Sequence, residues 1–519
     1  MQRVVPLPIP ANDFGTIDAR GSRVFYQTTP PRMIEGVLPG EKPALHAYDM
    51  DKRRDEIILE GLDNYSLSAD GTHVLFKQGR DYSIAETKAG GGERKTLQLD
   101  GMGMWVVPTQ EWSEMFNSAW RLERDLFYSE KTNGVNWQGV HDSYAKLLPL
   151  LGSREDLNYL IGQVQGELSN SHTYVGGGDD QDPTPAAPTA LLGVDFALDA
   201  ASGNYRFAHI LRGDDTRDQY RSPLNAPGLN VHDGDMLLAV NGQKLKAPTD
   251  PYSLFVDVQG PVTLTVASGA TATPRDISVD PVKTEMSLRE QGWIDHNRAI
   301  VDRLSGGKVA YIYLSDMESL GMEQFVRQFY PQTNKQALIV DDRYNGGGFI
   351  DQILLERLRR VLIGMSTNRE RAAMTIPQQL IDGPKICLIN QFSASDGDIF
   401  PYYFRKYGLG PLLGMRTWGG VRGIRGYWNL LDGGYITVPE HSLYGLDSQW
   451  VMENHGVDPD ITIENEPGEL LADHDRQLET AVGLMMDKLG KKPNSQTGTS
   501  RTLPPPPALL PAYPPATPD

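Results

Sequence analysis

A serine in the second half of this 519-residue chain has a setting that suits nucleophilic chemistry. Ser395 follows the apolar run 385–390, which predicts a buried strand, and precedes residues 399–406, which predict a helix. A serine at such a turn exposes its hydroxyl at the sheet edge, beside backbone N–H groups at a helix start. Acyl transfer requires that combination of a nucleophile and oxyanion donors. Serine and aspartate also cap helices as structure, so this segment alone leaves both interpretations open.

A glycine-rich segment could supply a second oxyanion donor. Residues 343–349 read Arg-Tyr-Asn-Gly-Gly-Gly-Phe, between a predicted strand that ends at Asp341 and a predicted helix at 349–362. Glycine lets a backbone approach a bound group closely, and a helix start offers N–H donors. A phosphate-binding loop is disfavoured because no Gly-Lys-Ser/Thr follows. A plain turn stays open as the alternative.

Two other segments carry groups that could activate a serine. Ser171 and His172 end a predicted helical region, and Glu453 lies in the segment 452–460. In a Ser-His-acid arrangement the histidine is the general base and the acid orients it. A lone histidine is more often structural, and a lone glutamate is usually an exposed loop carboxylate. These assignments therefore depend on a fold that brings the groups to the serine.

The first part of the chain predicts strands, then helices. In residues 1–104 the segments 19–27 and 69–77 match at a period of 50, which is typical of propeller blades. Two blades cannot close a propeller, which favours a chain that lacks most of a propeller region. Residues 105–178 predict a small helical domain, whose second helix has a capping-box start at 153–156. Its first helix carries an apolar stripe formed by Trp112, Met115, Phe116, Ala119 and Trp120.

The remainder of the chain changes from strands to an α/β pattern. Residues 176–188 predict a linker, and a strand-rich region follows at 189–282. In 283–490 predicted strands and helices alternate, as is typical of an α/β domain. The tail, 491–519, is rich in proline and polar residues and predicts disorder. The predicted strands of the α/β region are 309–314, 337–341, 412–415 and 435–438, and its first predicted helix is 322–330.

Composition and charge exclude several classes of protein. The formal net charge of −18 argues against a general surface for nucleic acid or anionic membranes. No apolar stretch of about 18 residues predicts a transmembrane helix. The first ten residues are too short and too rich in proline for a signal peptide. The single cysteine, Cys387, rules out internal disulfides and cysteine-based zinc sites, and it fits a reducing compartment.

Four separated motifs together resemble the tricorn protease family, within the carboxyl-terminal processing (tail-specific) peptidases. They are Ser-His-Thr-Tyr at 171–174, Arg-x-Asn-Gly-Gly-Gly at 343–348, Ser-Asp-Gly-Asp at 395–398 and Glu-Asn-x-Gly-Val-x-Pro-Asp at 453–460. The resemblance covers roughly residues 105–485 and implies a multidomain α+β fold. Its parts would be partial β-propeller blades, a small helical domain, a PDZ-like domain and a crotonase-like α/β serine peptidase domain.

The resemblance implies a role for each motif residue. The implied catalytic residues are Ser395 as nucleophile, His172 as general base, Glu453 as the acid that orients the base, and Ser171 as a helper. The backbone N–H groups of Asp396 and of Gly347 or Gly348 would form the oxyanion hole. Ser393 is a competing nucleophile, but the Asp-Gly pair that follows the family's nucleophile is not beside it.

One position separates the two branches of this superfamily. Tail-specific peptidases use a Ser-Lys dyad, with the lysine in a Thr-aromatic-Gly-Lys segment downstream of the serine. The corresponding segment here is Thr-Trp-Gly-Gly, and Gly420 stands where the lysine would be, which favours His172 as the base. In the family, a preference for basic substrate residues is linked to an aspartate. The corresponding stretch, 362–375, contains Glu370 and no aspartate, so the resemblance predicts neither the presence nor the absence of this preference.

The strand-rich region resembles a PDZ domain. Residues 192–196 read Leu-Gly-Val-Asp-Phe, and an Asn-Gly hairpin lies within 229–245. In PDZ domains a loop of the form Gly-apolar-x-apolar holds a chain-terminal carboxylate on backbone N–H groups. A spacer without a ligand is the open alternative.

The resemblance implies a cytoplasmic serine peptidase that cuts short peptides, uses no metal or organic cofactor, and forms a homo-hexamer. Two other classes stay open. One is a PDZ-bearing scaffold or small-ligand carrier, which the presence of Ser395, His172 and Glu453 disfavours because a scaffold needs none of them. The other is a crotonase-type acyl-CoA enzyme, which the PDZ-like insert and the Ser-Asp-Gly segment disfavour.

Overall fold

The computed structural model describes residues 6–30, 40–179, 187–214, 217, 220–269, 272–367 and 373–490. Two units can be distinguished, Met1–Pro108 and Thr109–Asp519. The predicted disordered tail, 491–519, lies outside the described residues, as does Glu370. None of the helices in the described ranges combines the length and the apolar character that crossing a membrane requires.

The first unit contains two four-stranded antiparallel sheets, each with its strands in sequence order. The matching segments 19–27 and 69–77 occupy equivalent places in the two sheets. Each contains the turn that precedes the second strand of its sheet and most of that strand, so the predicted repeat is confirmed. Phe25, Ile58 and Val74 are buried in a core that both sheets share. The strands are β1 (Asp13–Arg20), β2 (Arg23–Thr29), β3 (Ala44–Asp49), β4 (Arg54–Glu60), β5 (Asn64–Leu67), β6 (His73–Gln78), β7 (Asp81–Glu86) and β8 (Arg94–Thr96).

Three helices and one short strand follow in the second unit: α1 (Pro108–Leu126), α2 (Trp137–Tyr144), α3 (Arg154–Gly166) and β9 (Val175–Gly176). The predicted apolar stripe of α1 is confirmed, since Met115, Phe116 and Ala119 are buried. The predicted capping box is also present, because Ser153 Oγ accepts from the N–H of Asp156 and the Asp156 carboxylate accepts in return. These contacts fix the start of α3, and His172 follows the other end of this helix.

The PDZ-like region is an antiparallel sheet of order β10-β11-β12-β14-β15, with β13 paired on β12. Its strands are β10 (Val194–Asp199), β11 (Asn204–Ile210), β12 (Met236–Val240), β13 (Gln243–Lys244), β14 (Val262–Ala267) and β15 (Arg275–Val279). The predicted Asn-Gly hairpin joins β12 to β13, and both Asn241 and Gly242 have positive φ. A two-residue turn of that kind matches the twist of the paired strands.

The glycine loop of this region has a partner within the chain. The N–H of Gly193 donates to Oε1 of Glu285 at 2.7 Å. Glu285 is buried, and Arg289 donates from Nε and Nη2 to its other oxygen at 2.9 and 2.6 Å. Arg289 also pairs with Asp195. The loop that the sequence associates with a chain-terminal carboxylate is therefore bound by a side-chain carboxylate of the same chain.

The α/β region is built on a parallel sheet of order β16-β17-β20-β21-β24, with its core strands fully buried. Helices α4 and α9 pack on one face, and α5, α6 and α7 pack on the other. The strands are β16 (Val309–Tyr313), β17 (Ala337–Asp341), β20 (Lys385–Ile389), β21 (Leu412–Gly414) and β24 (Ile461–Thr462), with a separate hairpin of β18 (Gly364–Thr367) and β19 (Ala373–Ile376). The helices are α4 (Met286–Ser305), α5 (Ser319–Phe329), α6 (Asp351–Leu358), α7 (Asp396–Lys406), α8 (Pro467–Leu471) and α9 (Arg476–Gly490).

One predicted strand of this region belongs to another sheet. Residues 435–438 contain β23 (Tyr435–Ile436), which pairs with β22 (Trp428–Asn429) and with β9 after the helical domain. Ile436 and Val438 are buried in the core of the helical domain beside Leu160. A buried apolar pattern predicts a strand, but it does not indicate which strand will pair with it. The pairing attaches the helical domain to the α/β domain only a few residues from His172.

Candidate active site

Ser395 lies at the turn between β20 and α7, as the sequence predicts. It occupies the N-cap position of α7, with φ 57° and ψ −115°. This backbone conformation is rare for residues other than glycine and is common at functional sites. The Ser395 side chain makes no capping hydrogen bond, so the interpretation of Ser395 as a structural cap is wrong. The helix begins at Asp396, three residues before the predicted start.

A cavity of about 610 Å³ lies in front of this serine, and we call it the serine cavity. Gly348, Ser395 and Asp396 line it together. Among the hydrogen bonds of the described residues, the backbone N–H groups of Asp396 and Gly348 have no acceptor. The N–H of Gly347 instead donates to Oδ1 of Asn345 at 2.9 Å. Of the two glycines that the sequence leaves open as a donor, Gly348 has the available N–H.

Gly347 has a different use, which is close approach. Its φ is 86°, and a Cβ on it would lie 2.6 Å from Cβ of Ser395. No other residue type would let the glycine loop pass so near the serine. Asn345 holds the glycine loop and the serine turn together. Its backbone carbonyl oxygen accepts from the N–H of Ala394 at 2.9 Å, and its side-chain amide donates to the Leu314 carbonyl.

His172 is joined to Glu453 through Ser171. Nδ1 of His172 is 3.0 Å from Oγ of Ser171, and that hydroxyl donates to Oε2 of Glu453 at 3.1 Å. Glu453 also accepts from the N–H groups of Ser171, at 2.8 Å, and Val421, at 2.9 Å. Because the Ser171 hydroxyl donates its hydrogen bond to the carboxylate of Glu453, its oxygen is left to accept a hydrogen bond from Nδ1–H of His172. The network thus assigns the proton to Nδ1 and the free lone pair to Nε2.

The backbone of His172 is held by the segment that carries β23. His172 has φ 59°, and its carbonyl oxygen accepts from Oγ1 of the buried Thr437 at 2.7 Å. The same hydroxyl accepts from the N–H of Tyr174 at 2.8 Å. Thr437 therefore bridges both sides of the turn at His172, and no local sequence pattern predicts this role.

Trp418 connects the histidine to the serine turn. Its ring lies edge-on to the His172 ring, with centroids 5.7 Å apart, and its backbone N–H donates to the Ser393 carbonyl at 3.0 Å. The next residue, Gly419, donates its N–H to the buried Asp398 of α7 at 2.8 Å. At Gly420, where a tail-specific peptidase has lysine, a Cβ would clash with the Trp418 ring. The Thr-Trp-Gly-Gly segment is the sequence signal that could have identified Trp418 as a residue of the site.

Ser393, the competing nucleophile, is fully buried. Its hydroxyl donates to the Asp342 carbonyl at 2.8 Å and accepts from the N–H of Asn390 at 3.2 Å. Both bonds hold the turn after β20. Ser393 therefore supports the shape of the turn, whereas Ser395 lines the serine cavity.

Burial shifts the titration of several groups here. Burial lowers the pKa of His172, and the charge of Glu453 opposes that shift. Burial, followed by the charge of Asp351, raises the pKa of Asp396 to about 8. Burial also raises the pKa of Asp351, whose N–H donates to Asp396, and it raises the pKa of Asp398 to about 6. Near neutral pH the imidazole is therefore neutral and the Asp351–Asp396 pair retains a proton.

Three named families match consecutive parts of this chain. "Tricorn protease C1 domain" matches residues 108–166, "Tricorn protease PDZ domain" matches 190–284 and "Peptidase family S41" matches 308–463. The three matches follow the order of the helical, PDZ-like and α/β regions. The third match contains the Ser395 turn and Glu453.

Similar proteins extend the match to almost the whole chain. "Tricorn protease homolog 1" of Streptomyces coelicolor is 34% identical over 95% of this chain and 47% of its own length. "Tricorn protease" of Thermoplasma acidophilum is 32% identical over 94% of this chain and 46% of its own. The solved "Crystal structure of the tricorn protease" superposes with a TM-score of 0.85 at 30% identity, over 93% of this chain and 47% of that one. The chain spans about half the length of these relatives.

Proposed function

The chain belongs to the tricorn protease family, and on that premise we propose that it is a serine peptidase that hydrolyses short peptides. One observation carries the proposal. Ser395 lines a cavity together with Asp396 and Gly348, whose backbone N–H groups have no acceptor among the described residues. The turn of Ser395 is hydrogen-bonded to Trp418, and the Trp418 ring contacts the His172 ring. Neither a scaffold nor an acyl-CoA enzyme needs a histidine linked through a hydroxyl to a buried carboxylate.

The proposed reaction is acyl transfer through a covalent intermediate. Oγ of Ser395 attacks the peptide carbonyl while Nε2 of His172 takes the hydroxyl proton. The developing oxyanion accepts hydrogen bonds from the backbone N–H groups of Asp396 and Gly348, which have no acceptor among the described residues. His172 returns the proton to the leaving amine. In deacylation His172 takes a proton from water, which attacks the acyl-enzyme, and then returns that proton to Oγ of Ser395. Ser171 and Glu453 keep the proton on Nδ1 and stabilise the imidazolium.

The first test is covalent labelling of the wild-type chain with a fluorophosphonate probe, combined with hydrolysis of a mixture of short peptides. We expect stoichiometric labelling that excess peptide slows, because probe and substrate compete for the serine cavity. A folded protein that neither reacts with the probe nor cleaves peptides would contradict the proposal.

The Ser171 bridge should behave as one unit with Glu453. We expect Ser171→Ala and Glu453→Gln each to lower kcat by about 10²–10⁴-fold, since loss of the partner that orients a catalytic histidine has effects of this order. The double variant should be no slower than the slower single variant, because either change breaks the same link. Additive losses in a double-mutant cycle of kcat would show that the two residues act independently.

The acid side of the pH profile should report His172. Protonated imidazole is no base, so kcat/KM should fall as the pH drops through the pKa of His172. Burial lowers that pKa, so we expect a midpoint below 6.5, the ordinary pKa of an imidazole. Glu453→Gln removes the charge that opposes the shift and should move the midpoint lower still. A wild-type midpoint above 6.5, or an upward shift in Glu453→Gln, would contradict this assignment.

The alkaline side should report the carboxyl pair beside the oxyanion donors. Above about pH 8 Asp396 loses its proton, and the Asp351–Asp396 pair gains a second negative charge next to the donor N–H of Asp396. That charge opposes the oxyanion, so kcat/KM should fall. Asp351→Asn cannot gain the second charge and should keep its rate at pH values where the wild type loses activity. An unchanged alkaline midpoint in this variant would exclude the pair as the cause.

The resemblance also leads us to propose assembly into a homo-hexamer and a cytoplasmic location. Both points come from the resemblance of the motif residues, and this chain spans about half the length of the relatives named tricorn protease. Analytical ultracentrifugation of the purified chain tests the assembly: a mass of six chains is expected, and a monomer at all concentrations would exclude it. Fractionation of the source cells tests the location, and recovery outside the cytoplasm would exclude it.

A further inference from the structure

A second cavity, of about 560 Å³, adjoins the serine cavity, and we call it the tyrosine cavity. Tyr403 and Tyr407 line both, so the two cavities share a wall. The remaining lining residues are Tyr402, Lys406, Tyr444, Gly445, Leu446, Asp447 and Val451. The mechanism described above uses none of them.

The same two elements that carry catalytic groups build the tyrosine cavity. One wall is the second half of α7, the helix that begins directly after Ser395. The opposite wall is a turn closed by an isolated bridge between Tyr444 and Trp450 and by a hydrogen bond from the Gly445 N–H to the Gln449 carbonyl at 2.8 Å. This turn leads within three residues to Glu453. The cavity therefore lies beside the catalytic site both along the chain and in space.

Helix geometry gives the distance from the serine. Tyr402 and Lys406 lie about 7 and 11 residues beyond Ser395, which at about 1.5 Å per residue places them roughly 10–16 Å along α7. A single side chain held at Ser395 does not span that distance. An extended peptide advances about 3.3 Å per residue, so a residue about three to five positions from the scissile bond would arrive there.

The lining defines what kind of side chain fits. It is mainly aromatic and aliphatic, and both Tyr444 and Leu446 are exposed. Lys406 and Asp447 contribute opposite charges, and the Lys406 ammonium lies over the Tyr402 ring, 5.3 Å from its centroid. The two charges give no net preference for either sign. The rings offer faces and edges to an apolar or aromatic partner.

We propose that the tyrosine cavity is a second substrate subsite, which binds an apolar or aromatic side chain three to five residues away from the scissile bond. The proposal rests on the proposed peptidase function, and it adds a preference at a distance from the bond that is cut. Peptides that reach both cavities would be better substrates than peptides that fill only the serine cavity.

The test compares two sets of fluorogenic peptides that share the residues around the cleaved bond. One set is too short to reach the tyrosine cavity, and the other is longer, with phenylalanine or alanine at each position three to five residues away on either side. For the wild type we expect kcat/KM to be about tenfold higher with phenylalanine at one such position, the size of effect typical of filling an apolar subsite. Tyr444→Ala and Leu446→Ala should each remove most of that advantage and leave the short peptides unaffected. Leu471→Ala is the matched control, because Leu471 is an exposed leucine that lines neither cavity.

Three results would overturn the proposal. The first is equal kcat/KM for phenylalanine and alanine at every distant position. The second is a preference that persists in both Tyr444→Ala and Leu446→Ala. The third is an equal loss on short and long peptides in these variants, which would indicate a structural role. Failure of the wild type to cleave any peptide is a separate result, since it contradicts the peptidase function itself.

Discussion

Replacing Ser395 by alanine is expected to lower kcat by about 10⁴–10⁶-fold and to abolish fluorophosphonate labelling. The expected size follows from the loss of the only atom that forms the covalent intermediate, and comparable changes in serine peptidases have effects of this order. The fold should survive, because the Ser395 side chain makes no capping hydrogen bond with α7. Labelling, kcat and the thermal unfolding midpoint of the variant check the three parts of this expectation.

Ser393→Ala is the matched control two residues away. It removes two buried hydrogen bonds of the turn, so we expect a loss of about 1–3 kcal/mol in the free energy of unfolding. Labelling should persist, because Ser393 is buried and Ser395 is intact. If labelling instead survives in Ser395→Ala and disappears in Ser393→Ala, the nucleophile has been assigned to the wrong serine.

Replacing His172 by alanine is expected to lower kcat by about 10³–10⁶-fold, because a serine hydroxyl without a general base is a weak nucleophile. The Ser395→Ala/His172→Ala double variant should be no slower than Ser395→Ala alone, since the base has no function without the nucleophile. The rate at which a fluorophosphonate phosphonylates Ser395, with loss of fluoride, should fall in His172→Ala as well, and no deacylation step contributes to that rate.

His455 provides the control for this substitution. It lies two residues from Glu453 but is exposed, with its ring paired to Asp458 at 2.7 Å. We expect His455→Ala to change kcat by less than about twofold, as is usual for an exposed ion pair. A large loss in His455→Ala together with a small loss in His172→Ala would identify His455 as the base.

Local patterns in the sequence were sufficient where the chemistry is local. The apolar run before Ser395 predicts a buried strand, and residues 385–389 form one in the centre of the parallel sheet. The stripe on α1 and the capping box of α3 also depend only on neighbouring residues, and both are confirmed. The multidomain fold with helices and strands is confirmed as well.

Contacts between distant parts of the chain were beyond the sequence. The hydrogen bond between Ser171 and Glu453 joins residues 282 positions apart, and the bond from Thr437 to the His172 carbonyl spans 265. No periodicity encodes such distances, so the placement of Ser171 between acid and base came from the structure. The choice of Gly348 over Gly347 likewise depends on a side chain, Asn345, that occupies one N–H. The catalytic roles of these residues stay predictions until the variants are measured.

The contact between Gly193 and Glu285 has a consequence for any external ligand of the PDZ-like domain. Because Glu285 is tethered to the loop by its own chain, it acts at an effective concentration in the millimolar range or above, however dilute the protein is. A peptide with a free C-terminus must displace this tethered carboxylate and leave Arg289 to find another partner. A peptide at micromolar concentration is therefore expected to bind this loop only when Glu285 releases the N–H of Gly193.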